Sequence, residues 1–259
     1  MKKKLLTALV STSLILGMTS IPSFAQTEQG YIDDVDQLKS VLLQDVNTED
    51  LKDIVAPEVA AEFMNEKLNE AVELIGGQEF TANMQKQRDG SLYGEQSFDL
   101  GDGCELVVEL SDKSDAQYMD SFAASTVAAS DPQWFGYGNR SFTAKASVKC
   151  PVGTAYMNLT NRYTLSANGI DERQGDGTCN WSNSGGIITN ATPQITDSIA
   201  RTPGASDVNM HCVYTLRDNS SGKGERVSKY KLNTTIGFLD INKSTKKVRV
   251  KQSWSLNKV

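Results

Sequence analysis

Residues 140–169 run RSFTAKASVKC-PVG-TAYMNLTNRYTLSANG, and the pattern within them decides the fold. Phe142, Ala144, Ala146, Val148 and Cys150 alternate with Thr143, Lys145, Ser147 and Lys149. Alternation at period two marks a strand with one buried face and one wet face. Pro151 lacks an amide donor and Gly153 accepts unusual dihedrals, so the chain turns there. Met157, Leu159, Asn161, Tyr163 and Leu165 then share one face of a return strand. Asn168-Gly169 supplies the next turn, because both residues tolerate positive φ. A lone hairpin is marginal in water, so further strands must cover its apolar face.

The C-terminal part of the chain provides them. Val208, Met210, Cys212, Tyr214 and Leu216 alternate on one strand, and Asp218 to Gly224 is a turn. Ser228, Tyr230, Leu232, Thr234 and Ile236 continue on a second strand, and Asn242 to Thr245 turns again. Val248, Val250, Gln252, Trp254 and Leu256 line a third. Upstream, Phe98 and Leu100 lead through Gly101-Asp102-Gly103 into Cys104, Leu106, Val108 and Leu110, which is a hairpin. Residues 111–139 are less regular, 171–186 form a polar glycine-bearing loop, and Pro193 and Pro203 break the short apolar patches of 187–206. About eight to ten strands at this spacing predict a mainly β fold, an antiparallel β-sandwich or open barrel.

The N-terminal quarter has another grammar. Lys2, Lys3 and Lys4 precede an apolar run from Leu5 to Met18, and Ser23-Phe24-Ala25 provides small residues for cleavage. Residues 1–25 therefore have the form of a secretory signal peptide. The run is short of the roughly 20 residues that span a bilayer, so no membrane span is expected in the mature chain. Residues 26–80 are an acidic helical region, and 81–259 the β-rich domain. Ile32, Val35, Leu38, Leu42 and Val46 mark one face of a first helix, and Asn47 or Thr48 can cap a short second one. Pro57 suits the first turn of a third helix. Val59 or Ala60, then Phe63, Met64, Leu68, Val72 and Ile75 form its stripe, Gly76-Gly77 its end, and a Glu/Lys-rich face its wet side. That stripe must pack on itself or on the following domain.

Charge is uneven along the chain. Residues 28–79 hold 14 acids against three bases, whereas 201–259 hold 12 bases against four acids. Two solvated surfaces of opposite sign account for this, or the acidic segment docks on or screens the basic sheet. Cys104, Cys150, Cys179 and Cys212 are an even set in an exported chain, which suggests two disulfides. The preferred pairing is Cys104–Cys150 with Cys179–Cys212; the alternative is free, buried thiols.

Little in the chain points to catalysis. His211 is the only histidine, sits out of phase with Met210 and Cys212, and has no G-x-S-x-G elbow to serve. Glu105 and Glu109 share a strand face about 13 Å apart, too far for a glycosidase pair. Asp171, Glu172 and Asp176 lack the spacing of a calcium loop. No catalytic residue, metal or cofactor is assigned. The binding candidates are Trp134, Phe135 and Tyr137, aromatics among glycines that can form a platform or else plug the core. With them go Lys247, Arg249 and Lys251, one face of the last strand, which either meet an anionic surface or protect an edge. These bases do not make a nucleic-acid module.

WFGYGNRSFTA (134–144), AYMNLTNRYTLSANGIDER (155–173) and SDVNMHCVYTL (206–216) together resemble an uncharacterised domain of exported proteins of Gram-positive bacteria. The resemblance runs from Trp134 to the C-terminus. It implies a β-rich exported domain and transfers no activity or site residues. The expected function is a secreted, non-catalytic module binding an extracellular surface, cell-wall polymer or another extracellular protein. The alternative is a secreted effector or toxin whose acidic helices are a removable pro-segment.

Overall fold

The computed structural model describes residues 31–43, 51–76, 83–87, 90–115, 126–128, 132–183, 185–220 and 224–259. Residues 1–25, expected as a signal peptide, together with Val46, the expected Asn47 or Thr48 cap and Gly77, lie outside these residues. Three helices come first: α1 (Val35–Leu42), α2 (Leu51–Ile54) and α3 (Pro57–Ile75). Strands β1 (Asn83–Lys86), β2 (Leu92–Asp99), β3 (Glu105–Ser114), β4 (Thr126–Ala128) and β5 (Gln133–Gly136) follow. The central hairpin is β6 (Gly138–Cys150) with β7 (Gly153–Ser166), continued by β8 (Gly169–Asn180). Short strands β9 (Ser182–Asn183), β10 (Gly186–Asn190), β11 (Gln194–Asp197) and β12 (Ile199–Ala200) lead to the long β13 (Ser206–Ser220), β14 (Gly224–Asn242) and β15 (Lys247–Lys258).

The protein is mainly β, built from two antiparallel sheets that face each other as a sandwich or half-barrel. One sheet has the order β12-β8-β7-β6-β3-β2-β1-β4; the other is β5-β15-β14-β13-β10-β9, with β11 also on β13. The inner faces are the period-two residues: Phe142, Ala144, Leu159 and Tyr163 meet Met210, Tyr214, Leu232, Val250 and Leu256, each at most 1% exposed. Tyr214 closes the seam by donating its hydroxyl hydrogen to the Asn158 carbonyl oxygen at 2.6 Å.

Residues 171–186, expected as a polar loop, instead carry most of β8 and all of β9. The reason is steric. Gly175 and Gly177 occupy inward positions opposite Asn161 and Leu159. A Cβ on Gly175 would overlap the Met210 side chain, and one on Gly177 would lie 2.6 Å from Cys212 Sγ. The facing sheet comes so close that only glycine fits, so the apolar alternation that marks a strand is missing. Trp181, also expected in a polar loop, is 7% exposed and packs beside Gly186. The turn expected from Asp218 begins later, because β13 keeps its inward phase through Asp218, which is fully buried.

The helices cover one end of the sandwich. Asp34 caps α1, its carboxylate accepting from the amides of Asp36 and Gln37 at 2.8 and 3.1 Å. Helix α3 starts on Pro57 and is buried on more than one face. Met64, Leu68, Ala71, Val72 and Ile75 join the inter-sheet core. Val59, Ala60 and Phe63 join a second cluster with Ile32, Val35, Leu38 and Cys104. Lys67, expected on the wet face, is 3% exposed; its ammonium reaches Glu70, Asp102 and the Leu100 carbonyl at 2.8–2.9 Å. Asn65 donates to Asp218 at 2.6 Å and accepts from Ser228 and Tyr230 at 2.9 and 3.1 Å. Arg226 links Asp218 and Glu62 at 3.0 and 3.1 Å. Gly76 follows the helix with φ −61°, not in a left-handed cap; a Cβ there would sit 2.5 Å from the Val72 carbonyl oxygen.

Cys104 and Cys150 form a disulfide with Cα atoms 4.3 Å apart, tying the β2–β3 turn to the β6–β7 turn beneath the helices. Cys179 and Cys212, the second expected pair, are free thiols. Each instead donates to carbonyl oxygens, Cys179 to Ile188 at 3.6 Å and Cys212 to Ala191 at 3.2 Å. Thiol titration in denaturant without reductant is expected to find those two thiols. Labelling of Cys104 or Cys150 before reduction would contradict this.

Candidate functional site

Strand β5 brings together the two groups of binding candidates. Pro132, Gly136 and Gly138 gave its segment the look of a loop, yet Gln133–Gly136 pairs with β15. In that register Trp134 lies opposite Arg249 and Gly136 opposite Lys247. Directly opposed residues share a sheet face, with Cβ atoms about 4.5–5.5 Å apart. Trp134 is 42% exposed and so stands on the outer face beside Arg249. Lys247 and Lys251 flank Arg249 on the same face by period two, and all three are partly exposed. Arg249 also faces Asp240 on β14, and Lys251 packs against Gly237.

The other two aromatics have different roles. Phe135 points inward, 9% exposed, with its ring 3.8 Å from the Arg140 guanidinium carbon, a cation–π contact. Tyr137 is half-buried against the core and its amide donates to the Lys246 carbonyl oxygen at 3.0 Å. Phe135 therefore acts as a plug and Trp134 as the displayed ring.

Beneath Phe135 lies a polar cluster that links the sheets. Asp112 of β3 is fully buried and accepts from Arg140 Nε and the Tyr163 hydroxyl, each at 2.6 Å, and from the Gln252 amide. Gln252 also reaches the Tyr163 oxygen at 3.1 Å. Burial pushes the Asp112 carboxyl pKa up against the pull of Arg140, and burial with the Asp112 charge holds the Tyr163 phenol protonated. The cluster is sealed from water, so its role is positional. By holding Arg140, it fixes Phe135 inward, and period two then sends Trp134 outward. Sequence reasoning overlooked this cluster although the phase signal was present. Asp112, Arg140, Tyr163 and Gln252 all fall on inward positions of apolar strand patterns.

The remaining candidates do not converge. His211 faces outward opposite Asn233, with Nδ1 3.5 Å from the Thr196 hydroxyl. Burial and then Lys231 lower its pKa. Glu105 and Glu109 pair across the strands with Lys149 and Lys145. Asp171 pairs with Arg201 and Asp176 with Arg162. Glu172 is out of step with both, because its carboxylate oxygens are buried without hydrogen-bond partners among the described residues. Burial, with a smaller push from Asp197, raises its pKa to about 7.

That shift gives a stability slope of definite sign. The folded chain binds the Glu172 proton more tightly than the unfolded chain, whose carboxyl titrates near 4.5. This contribution is complete below pH 4.5 and is lost as pH rises through about 7. Glu172→Gln is expected to remove the slope, gaining stability relative to the parent above pH 7 in denaturant melts across pH. An unchanged pH profile would contradict the burial of this carboxylate.

No protein-family model, no curated protein and no solved structure matches this chain. The functional reading rests on the chain's own residues.

Proposed function

We propose that this chain is an exported, non-catalytic module that binds an anionic extracellular surface, such as a wall polymer or partner protein. The binding face is the outer surface where β5 meets β15. One observation carries the reading: a four-residue strand sets Trp134 directly opposite Arg249, between Lys247 and Lys251. A flat ring beside guanidinium and ammonium groups offers an apolar face to a sugar or side chain and positive charge to phosphate or carboxylate. The Cys104–Cys150 disulfide accords with an oxidising compartment. Among the described residues no helix is long and apolar enough to cross a membrane.

Further polar groups continue the face away from Trp134. Thr235 donates to Asn209 at 2.6 Å, Asn209 to Asp197 at 3.1 Å, and Asn233 to Ser255 at 3.0 Å. These side chains satisfy one another, whereas Trp134 leaves its ring 42% exposed beside Arg249. The test is co-sedimentation of the protein with isolated Gram-positive cell walls at low and high salt. Binding is expected to fall with salt, and Lys247, Arg249 and Lys251→Ala together to weaken it about tenfold or more. Absence of binding at both salt concentrations would overturn wall attachment.

A further inference from the structure

At the end of the sandwich away from α3, a cavity of about 390 Å³ opens between four chain segments. Its size lies within the roughly 300–1,000 Å³ typical of small-molecule sites. The β7–β8 turn contributes Asn168, the β12–β13 connection Arg201 and Pro203, β14 Phe238 and Ile241, and the following turn Lys243. None of these belongs to the Trp134–Arg249 face.

The cavity has a fixed floor. Phe238, opposite Val250, points inward and is 1% exposed. The register then slips by one residue, so that Ile241 faces Val248 and returns to the inward phase. A bulge of this kind re-aims side chains and bends the strand end. Gly169, at φ +117°, lets the β7–β8 turn settle onto the floor; a Cβ there would be 3.2 Å from the Phe238 ring and would overlap the Ala200 carbonyl.

The charged wall is equally constrained. Arg201 donates to the Ile170 carbonyl oxygen at 3.0 Å and pairs with Asp171, so its guanidinium is held in place and its charge balanced. Lys243 has no ion-pair partner among the described residues. Its turn is fixed by Asn242, whose side-chain oxygen accepts from Ser244 at 2.7 Å and from the Thr245 amide at 3.0 Å. Asp240, the nearby acid on β14, turns back to accept from the Ile241 amide at 2.7 Å. Of the lining side chains, Lys243 therefore brings to an apolar floor a charge with no ion-pair partner among the described residues, with further guanidinium donors on Arg201 and the Asn168 amide at the rim.

We infer that this cavity is a second binding site, for a small anion carried on a sugar- or polyol-sized body. Lys243 meets the anionic group, Arg201 and Asn168 hydrogen-bond the body, and Phe238, Pro203 and Ile241 pack against its apolar edge. A carboxylate on a sugar ring and a phosphate on a polyol share this chemistry.

Amide chemical shifts of the isotopically labelled full chain, titrated separately with glucuronate, glycerol phosphate and glucose, test the inference. At least one anion is expected to give saturable shifts at Asn168, Arg201 and Lys243, with glucose about tenfold or more weaker. The tighter anion identifies carboxylate or phosphate as the recognised group. Lys243→Glu, in an exposed turn, is expected to weaken that anion about tenfold. Trp134→Ala is expected to leave it unchanged, which separates this site from the sheet face. No saturable shift with either anion, equal binding of glucose, shifts confined to Trp134 and Arg249, or an unaffected Lys243→Glu variant would each overturn it.

Discussion

Arg140→Leu is expected to cost about 3–5 kcal/mol of folding stability, because it strands a buried carboxylate. Asp112 is 0% exposed, and its remaining partners, Tyr163 and Gln252, are neutral. Burial already pushes its pKa up with Arg140 present. Without the guanidinium, the carboxyl must take up a proton or the sheets must part. Urea melts of the parent, Arg140→Leu, Asp112→Leu and the double variant separate the contributions. The double variant should lose much less than the sum of the single ones, since removing both charges leaves nothing unpaired. Additive losses would mean that the pair does not act as a unit. Arg140→Leu should also weaken surface binding in protein that remains folded, since Phe135 stacks on that guanidinium and holds β5 in place.

Removal of residues 31–76 is expected to abolish cooperative folding. Helix α3 supplies Met64, Leu68, Val72 and Ile75 to the inter-sheet core, each at most 5% exposed. Truncating one such side chain, Leu68→Ala, should by itself cost about 2–5 kcal/mol. Loss of the helix would also leave Asp218 without Asn65 and leave Tyr230 facing water. Circular dichroism and thermal melts of a chain beginning at Gly77 provide the measurement. A soluble fragment with a sharp melt would instead favour the alternative in which the acidic helices are a removable pro-segment.

The parts of the fold legible in the sequence are those where burial alternates without interruption. The central hairpin and the three C-terminal strands pair along their whole length, and their inward residues are those the period-two pattern marks. The α3 stripe was equally plain. Strand β8 was hidden because contact with the other sheet demands glycine at 175 and 177, which erases the apolar signal. Strand β5 was hidden because its partner lies more than 100 residues later and four residues carry little pattern. Lys67 was misplaced because helical periodicity records spacing, not what packs on the far side; the β2–β3 turn supplies Asp102 there.

The candidate site was legible as ingredients only. Trp134 and the basic face of β15 stand out in the sequence as separate features. Their meeting depends on the β5–β15 register, and the division of labour between Trp134 and Phe135 depends on Arg140. The cavity at Lys243 depends on a register slip in β14 that no local pattern announces.

The most direct test of the binding account is a double-mutant cycle at Trp134 and Arg249, read as affinity for isolated Gram-positive walls at low salt. If the two side chains form one site, each alanine variant weakens binding, and the double variant loses less than the sum, with a coupling of about 0.5 kcal/mol or more. Strictly additive losses, or a Trp134→Ala variant that binds as the parent does, would contradict a shared site.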